Sequence, residues 1–325
     1  MSLTHNLYFR AARQPGFSLI ELMVALLIGV LIIIGAVSVY VQSRNTFRVT
    51  EAVARLQETG RYAMEVLVPD IRMAGYWGLH NRAEYITNSA GPGDTLPAGL
   101  TELDDCGDNW ATNTVETVTG TNQDEEYPFP DTCAPYGSDD ATAWQPGSDI
   151  LVIRRASSEP AAPANGTLQI QSSRLQSALF QNGTLPPGFA PPTTTESYDL
   201  VANAYYVSRN STGRAGMPSL RRKRLISGPA IRDEEIAPGI EDFQIRFGID
   251  TDGDQEAESF VDPNAVAGNP VVAVRVWLLV RALEQEQGFV DSEVRVYAGK
   301  TVPAPNDKVR RILVERTIQL RNTRP

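Results

Sequence analysis

The most unusual chemical group in this sequence is a carboxylate inside an apolar run. Phe17 to Val41 spans 25 residues, and Glu21 is the only one of them whose side chain is charged at neutral pH. A carboxylate in the apolar part of a membrane helix costs roughly 2.5 to 3.5 kcal/mol on insertion scales, so it is expected to exist for a partner. Glu21 is therefore a candidate for charge pairing with another molecule.

A second group of carboxylates lies on one short stretch near Gly253. Oxygen ligands crowded onto one turn are what a hard cation such as Ca²⁺ requires, although Gly stands fourth in the run, which is unlike an EF-hand. The alternative is a hairpin turn made of ordinary turn-forming residues. The candidate ligands are Asp250, Asp252, Asp254, Glu256 and Glu258. Calcium is the one cofactor that the sequence suggests, and no other is expected.

Enzyme chemistry has little support. The sequence has two histidines, His5 and His80, and no Ser-His-Asp arrangement, Cys-His pair, P-loop or Rossmann glycine pattern. A pair of carboxylates for glycoside hydrolysis stays open only because Asp and Glu are plentiful. The formal net charge of −10 argues against a nucleic-acid surface. We expect a protein that is not an enzyme and does not bind nucleic acid directly.

The apolar run must form the element that positions Glu21. A helix rising about 1.5 Å per residue needs roughly 20 residues to cross a bilayer, and Phe17 to Val41 is long enough. The break Pro15-Gly16 precedes this run, whereas a signal peptide is cut after its apolar segment. A cut after Gly16 would leave the helix on the mature protein with Phe17 first. An ordinary signal anchor is the alternative.

The charges before the helix predict its orientation. Residues 1–16 contain Arg10 and Arg13 and no acidic residue. By the positive-inside rule this segment is cytoplasmic, and the chain after Val41 lies on the far side of the membrane.

The stretch GFSLIELM, Gly16 to Met23, resembles the leader junction of type IV prepilins and type II secretion pseudopilins. The resemblance implies cleavage between Gly16 and Phe17 by a prepilin peptidase and methylation of the freed amine. It also implies that Glu21 pairs with the Phe17 amine of a neighbouring subunit during assembly.

The helix is predicted to continue past the membrane. An apolar stripe runs from Val49 to Leu67 at alternating spacings of four and three, with charged residues between its members. Pro69 predicts an end or a kink near Val68. We therefore assign the long helix to residues 17–70, with 17–41 in the membrane.

The rest of the chain shows a second resemblance. Asp70 to Gly78 (DIRMAGYWG) and three C-terminal stretches, Gly239 to Asp262, Asn269 to Glu284 and Arg310 to Asn322, look like PilW-type minor pilins. Pseudopilins of the J type share some of this order. The resemblance implies an α+β, pilin-like fold in which the long helix packs on a mainly antiparallel β-sheet head, residues 71–325. Val271 to Val280 is expected to be a central strand.

Asn81 to Ala143 is rich in turn-forming residues and predicts loops with short strands. It contains both cysteines, and on the predicted topology it lies where thiols oxidise, so Cys106 and Cys133 should pair. Closing these 28 residues would stabilise the fold by roughly 3.5 kcal/mol.

A basic run lies inside one of the predicted strands of the head. Arg221 to Arg224 falls in the strand Leu220 to Ser227. It is interpreted as a solvated edge that discourages edge-to-edge pairing, with contact to an acidic neighbour or to a nucleic acid as the alternatives.

Together these features predict a minor pilin that starts type IV pilus assembly near the tip and supports adhesion, twitching motility or DNA uptake. The expected location is the inner membrane, single-pass with a cytoplasmic N-terminus, and then the pilus on the cell surface. Expected partners are other minor pilins, the major pilin, the prepilin peptidase, the inner-membrane assembly platform and a tip adhesin. The alternatives are a J-type pseudopilin of type II secretion and a membrane-anchored enzyme or receptor.

Overall fold

The computed structural model describes residues 16–101, 106–107, 109–122, 126–189 and 194–322. The predicted leader, residues 1–16, lies outside the described residues except for Gly16. Helix α1 spans Leu19–Met73. The chain divides into two units, Met1–Ala52 and Val53–Pro325, which are described separately.

In the first unit, α1 is apolar on every side. The side chains from Leu19 to Val41 are almost all exposed, and no residue of the most apolar window, with mean hydropathy 3.0, is buried. By length and composition this part of α1 can cross a membrane, as the sequence predicts.

In the second unit, α1 buries one stripe of side chains. The buried positions include Leu56, Gly60, Ala63 and Leu67, which are members of the predicted stripe. Gly60 marks a close approach, because a Cβ atom there would lie 2.7 Å from Val314 Cγ2. A larger residue at this position would push the helix away from the strand.

The end of α1 differs from the prediction. The helix continues through the exposed Pro69 to Met73, so the expected end near Val68 is wrong. Tertiary contacts hold the last turn: the buried carboxylate of Asp70 accepts hydrogen bonds from Arg155 Nε at 2.7 Å, Asn203 Nδ2 at 2.7 Å and Tyr205 Oη at 2.8 Å. These contacts outweigh the loss of one helical hydrogen bond at the proline.

Fourteen strands and four short 3₁₀ helices follow in the described part of the head. The strands are β1 Ile86–Thr87, β2 Val118–Thr121, β3 Ile150–Ala156, β4 Asn165–Ser173, β5 Ser177–Asn182, β6 Thr195–Ser208, β7 Ser219–Ile226, β8 Ala230–Pro238, β9 Ile240–Ile249, β10 Ser259–Val261, β11 Val271–Arg281, β12 Arg295–Tyr297, β13 Lys300–Val302 and β14 Arg311–Gln319. The 3₁₀ helices are Ala83–Tyr85, Asp131–Cys133, Ala141–Ala143 and Pro263–Ala265.

The larger sheet is organised around β6. Its strand order is β1-β5-β4-β6-β3-β2, with β7 pairing β6 and β8 pairing β7. All of these pairs are antiparallel except β1 with β5. The region from Asn81 to Ala143 supplies β1, β2 and three 3₁₀ helices, so the prediction of loops with short strands is confirmed.

The smaller sheet has the order β10-β9-β11-β14, and β12 and β13 form a separate hairpin. Strand β11 lies between β9 and β14 and is buried along most of its length, which confirms the predicted central strand. One hydrophobic core joins the stripe of α1 to side chains of both sheets, and a second core contains the two cysteines and Trp77. The predicted α+β, pilin-like arrangement is therefore confirmed.

The two sheets are joined by side chains that cap a strand edge. Ser148 Oγ exchanges hydrogen bonds with the backbone of Phe243, the amide of Asp149 donates to Phe243 O at 2.8 Å, and Ile245 N donates to Asp149 Oδ2 at 2.7 Å. Residues just before β3 thus satisfy backbone groups on the outer side of β9.

Candidate assembly site

Glu21 lies in the first turn of α1, and Gly16 and Phe17 lie just before the helix. Phe17 is 85% exposed. Within residues 16–52 the carboxylate of Glu21 is exposed and forms no hydrogen bond or ion pair. Acidic side chains in a first turn are favoured by the helix dipole, although this interaction is much weaker than a direct pair with a cation. Within residues 16–52, the carboxylate is thus available to a cation.

The surface around Glu21 is suited to a membrane or to other helices. Exposed Leu, Ile and Val side chains surround the helix from Leu19 to Val41. A contiguous exposed apolar surface of this kind is not stable in water. Whatever covers it also surrounds Glu21, and in such surroundings an uncompensated charge is costly.

The head contains the predicted disulfide. Cys106 and Cys133 are bonded, with their Cα atoms 4.7 Å apart, and both are buried. Nearby aromatic rings meet edge to face, including Trp110 with Phe129 at 6.2 Å between centroids. The disulfide therefore holds the long loop region against the second core.

The acidic turn brings four of its five predicted ligands together. One ligand oxygen from each of Asp250, Asp252, Asp254 and Glu258 lies within 4.8 Å of the others, and Glu256 does not belong to this group. Three of the four are exposed. Asp250 accepts from Gly253 N at 2.6 Å and Gln255 N at 2.9 Å, so the turn also holds its shape by internal hydrogen bonds.

The basic run on β7 is not a solvated edge. Strand β7 lies between β6 and β8, and the side chains of Arg221 and Lys223 are buried. Arg221 Nε contacts Asp233 Oδ1 at 2.6 Å, and Lys223 Nζ contacts Asp233 Oδ2 at 3.1 Å. Burial lowers the pKa of Lys223. The edge interpretation is wrong because the following strand supplies the acidic neighbour, which was one of the alternatives.

A group of carboxylates surrounds the buried Arg311 on β14. Arg311 Nη1 contacts Asp291 Oδ2 at 3.2 Å and Asp307 Oδ1 at 2.8 Å, and its Nε contacts Glu241. The Arg311 side chain is only 4% exposed. The hydrogen bond from Arg311 is the main reason why the pKa of Asp307 falls to about 2. These contacts attach the segment between β11 and β14 to the smaller sheet.

His80 lies beside a serine but is not arranged as a general base. His80 Nδ1 accepts a hydrogen bond from Arg82 N at 3.0 Å, so in the neutral ring Nε2 carries the proton. Nε2 then donates to Ser177 Oγ at 2.6 Å. A base that activates a serine must accept from that oxygen. Burial also lowers the pKa of His80, which favours this neutral form.

Two family models match the chain. Residues 11–37 match the prokaryotic N-terminal methylation motif, and residues 204–322 match the model described as type IV pilus-assembly protein W. The first includes Gly16, Phe17 and Glu21, and the second covers strands from within β6 to β14.

The chain is also similar to individual proteins. It is 32% identical over 93 residues to the pilin-like protein PilA3 of Thermus thermophilus, and the aligned part covers 26% of this chain and 40% of that protein. A solved type IV-like pilin from Thermus thermophilus aligns with a TM-score of 0.28 and 15% identity, covering 55% of this chain and 79% of that one. The family-model matches and the PilA3 similarity confirm the predicted resemblance to PilW-type, prepilin-like proteins.

Proposed function

We propose that this chain, a type IV pilin-like protein by its N-terminal motif and its W-type segment, is a minor pilin that helps start pilus assembly near the tip. The observation that carries the proposal is Glu21, a carboxylate without a partner within the described part of its own unit, four residues after Phe17 in an apolar helix. A subunit near the tip would support the adhesion, twitching motility or DNA uptake that depends on the pilus.

The proposed mechanism is charge pairing between subunits. After cleavage behind Gly16, the freed amine of Phe17 is a cation in apolar surroundings and Glu21 is an anion in the same surroundings. Glu21 has no mate within residues 16–52, and both charges gain one when the helix of a neighbour moves into register. The membrane then acts as a store of subunits that lose an unfavourable charge on polymerisation.

The position near the tip is argued from size and from Glu21. A head of residues 71–325 is larger than an average domain, and a filament shaft leaves each subunit only a narrow outer sector. The first subunit at a tip has no amine above it, so a subunit that retains the carboxylate belongs just beneath the cap. Its partners would be other minor pilins, the major pilin, a tip adhesin, the assembly platform and the prepilin peptidase.

The first experiment tests processing. Gly16→Leu should prevent cleavage, so the mass of the membrane-extracted protein should remain that of the precursor. Gly35→Ala is the matched control, because a Cβ at either glycine meets nothing within 4 Å in the structure. A mature mass that is the same in Gly16→Leu and in the parent protein would refute the leader assignment.

The second experiment tests the process that the subunit serves. A deletion strain should lose surface pili and twitching, and normal secretion of exoproteins should continue. The opposite result would support the alternative of a J-type pseudopilin. An uncleaved protein that restores function would support a membrane-anchored enzyme or receptor instead.

The third experiment tests the position. Immunogold labelling of the head should give a few particles at one end of each pilus. Even labelling along the shaft, or a copy number similar to that of the major pilin, would contradict the placement beneath the cap.

We also propose that the acidic turn binds Ca²⁺, since four carboxylate oxygens meet there. Millimolar Ca²⁺ should raise the melting temperature of the full chain, and Asp252→Asn should abolish the rise. Glu256→Gln is the matched control, because Glu256 lies outside the group of four. Equal melting temperatures with and without calcium would leave residues 250–258 as a plain turn.

A further inference from the structure

The two edges of the smaller sheet differ in how far their backbone groups are covered. On the β9 side, β10 pairs with the end of the strand, and Ser148 and Asp149 bond to its middle. On the other side, β14 pairs only with β11. An uncovered edge strand presents a row of free backbone donors and acceptors to other chains.

The pairing pattern shows which groups of β14 point outward. Leu320 N donates to Val272 O at 2.9 Å, and Ala282 N donates to Arg310 O at 2.8 Å. In an antiparallel ladder the bonded positions alternate, so even-numbered residues of β14 face β11 and odd-numbered residues face away. Across residues 16–322, as far as they are described, the outward amides have no hydrogen-bond partner. In the part of β14 that follows Arg311, they belong to Leu313, Glu315, Thr317 and Gln319.

The surroundings of this edge are basic, although the whole chain is acidic. Arg316, Arg321 and Arg72 are exposed, and none forms an ion pair with a carboxylate of the described chain. Arg72 lies beside the end of β14, because Arg321 N donates to Arg72 O at 3.3 Å. Glu315 does not fully balance these charges, because its carboxylate already forms an ion pair with Arg275, at 3.9 Å.

The same charges disfavour a second copy of this chain as the occupant. Antiparallel pairing of two β14 strands about Glu315 or about Arg316 would place that residue opposite its own image. Like charges directly opposite each other destabilise a strand pair. These two registers of self-pairing are therefore disfavoured, whereas a strand that carries carboxylates is complementary to the edge.

We propose that β14 accepts an acidic, extended segment of another polypeptide, which adds to the smaller sheet as a fifth strand. Backbone hydrogen bonds to the four outward amides give affinity, and carboxylates opposite Arg316, Arg321 and Arg72 give selectivity. The inference specifies a partner for the proposed minor pilin. Only the source of the acidic segment depends on the proposed function. Binding of an acidic strand to β14 can be tested without knowing which filament the protein serves.

The test uses the purified full chain in detergent and a synthetic peptide of about ten residues, the upper end of ordinary strand length, that alternates Val and Glu. Amide hydrogen exchange is measured with residue resolution. At a peptide concentration of ten times its Kd, exchange at Leu313, Glu315, Thr317 and Gln319 should slow about tenfold. Exchange at the even-numbered residues, which already bond to β11, should change little.

Two variants make the test specific. Leu313→Pro removes one outward amide that β11 does not use, so the fold is expected to remain and peptide binding to fall, whereas Leu313→Ala keeps the amide and should bind normally. Arg316→Glu should weaken binding at least about threefold, the scale of one or two exposed ion pairs. Circular dichroism checks that each variant is folded.

Three results would overturn the proposal. The first is unchanged exchange at the outward amides with the peptide present. The second is equal slowing by a control peptide that alternates Val and Lys, which would remove the acidic selectivity. The third is slowing that depends on protein concentration without any peptide, which would mean that a second copy is the occupant. The deletion strain tests the proposed function separately, so failure of that function and failure of strand binding can be told apart.

Discussion

Glu21 lies in the apolar part of α1 and Arg311 is buried in the head on β14, and the two charges differ in their partners. Arg311 contacts Glu241, Asp291 and Asp307, all from the same head. Glu21 has no partner within the described residues of its unit. A buried charge with its partners in one chain contributes to the fold of that chain, whereas the proposed role of Glu21 is to pair with another subunit.

The first prediction tests the difference between these two charges by removing the unpaired one. Glu21→Ala should insert into the membrane normally, because the change removes an insertion cost, yet it should disappear from sheared pili. Leaving one member of a buried pair without its mate costs roughly 3 to 5 kcal/mol, a factor of more than about a hundred in association. The measurement is the ratio of pilus-bound to membrane-bound protein.

Glu21→Asp is the matched control, since it keeps a carboxylate on a shorter side chain and should be recovered in part. Recovery of Glu21→Ala at the parental level would contradict the role of the carboxylate in assembly.

The second prediction concerns the paired charge, Arg311. Arg311→Met leaves three carboxylates of the head without their common cation and should lower the free energy of unfolding by about 3 to 5 kcal/mol. Chemical unfolding followed by tryptophan fluorescence measures the loss. Arg316→Met, on the same strand but exposed, should stay within about 0.5 kcal/mol of the parent. Equal stability of the two variants would show that the contacts of Arg311 do not hold the head together.

A third prediction compares a covalent contact with the ionic ones. Replacing Cys106 and Cys133 by Ser should lower the free energy of unfolding by roughly 3.5 kcal/mol, because the open loop gains entropy in the unfolded chain. Thiol labelling of the denatured, unreduced parent protein should find both cysteines blocked. Reaction of either one would refute the pairing in solution.

The smallest expected effect is a loss of stability of the head at low pH. Since the pKa of Asp307 lies near 2 in the head and near 3.8 in its ordinary state, its ionic contacts contribute fully above pH 3.8 and are lost as the pH falls toward 2. The melting temperature should fall across this interval, and Asp307→Asn should make the fall shallower. A parallel decline in parent and variant would assign the acid sensitivity to other carboxylates.

Elements with one dominant signal could be predicted from the sequence. The apolar run and its basic flank predict the first part of α1, and the many valines from Val271 to Val280 predict β11, whose two faces are both covered. The stripe predicted from Val49 to Leu67 is buried from Leu56 onward, whereas Val49 and Val53 are only partly buried.

Elements whose structure depends on distant partners could not be predicted in the same way. Pro69 marks a helix end by local rules, but the partners of Asp70 on β3 and β6 extend the helix to Met73. The run Arg221 to Arg224 has the composition of a surface, and its burial follows from β8. The signal was present, since Asp233 to Glu235 follow at a hairpin distance.

The three hydrogen bonds to Asp70 also have a mechanical consequence. A pull on α1 is resisted by its buried stripe and also by its last helical turn, where Arg155 on β3 and Asn203 and Tyr205 on β6 bond to one carboxylate. Because these bonds converge on a single group, they share the load and must break together. The head would therefore resist extraction of the helix through one cooperative joint, whose rupture force should drop sharply in Asp70→Asn.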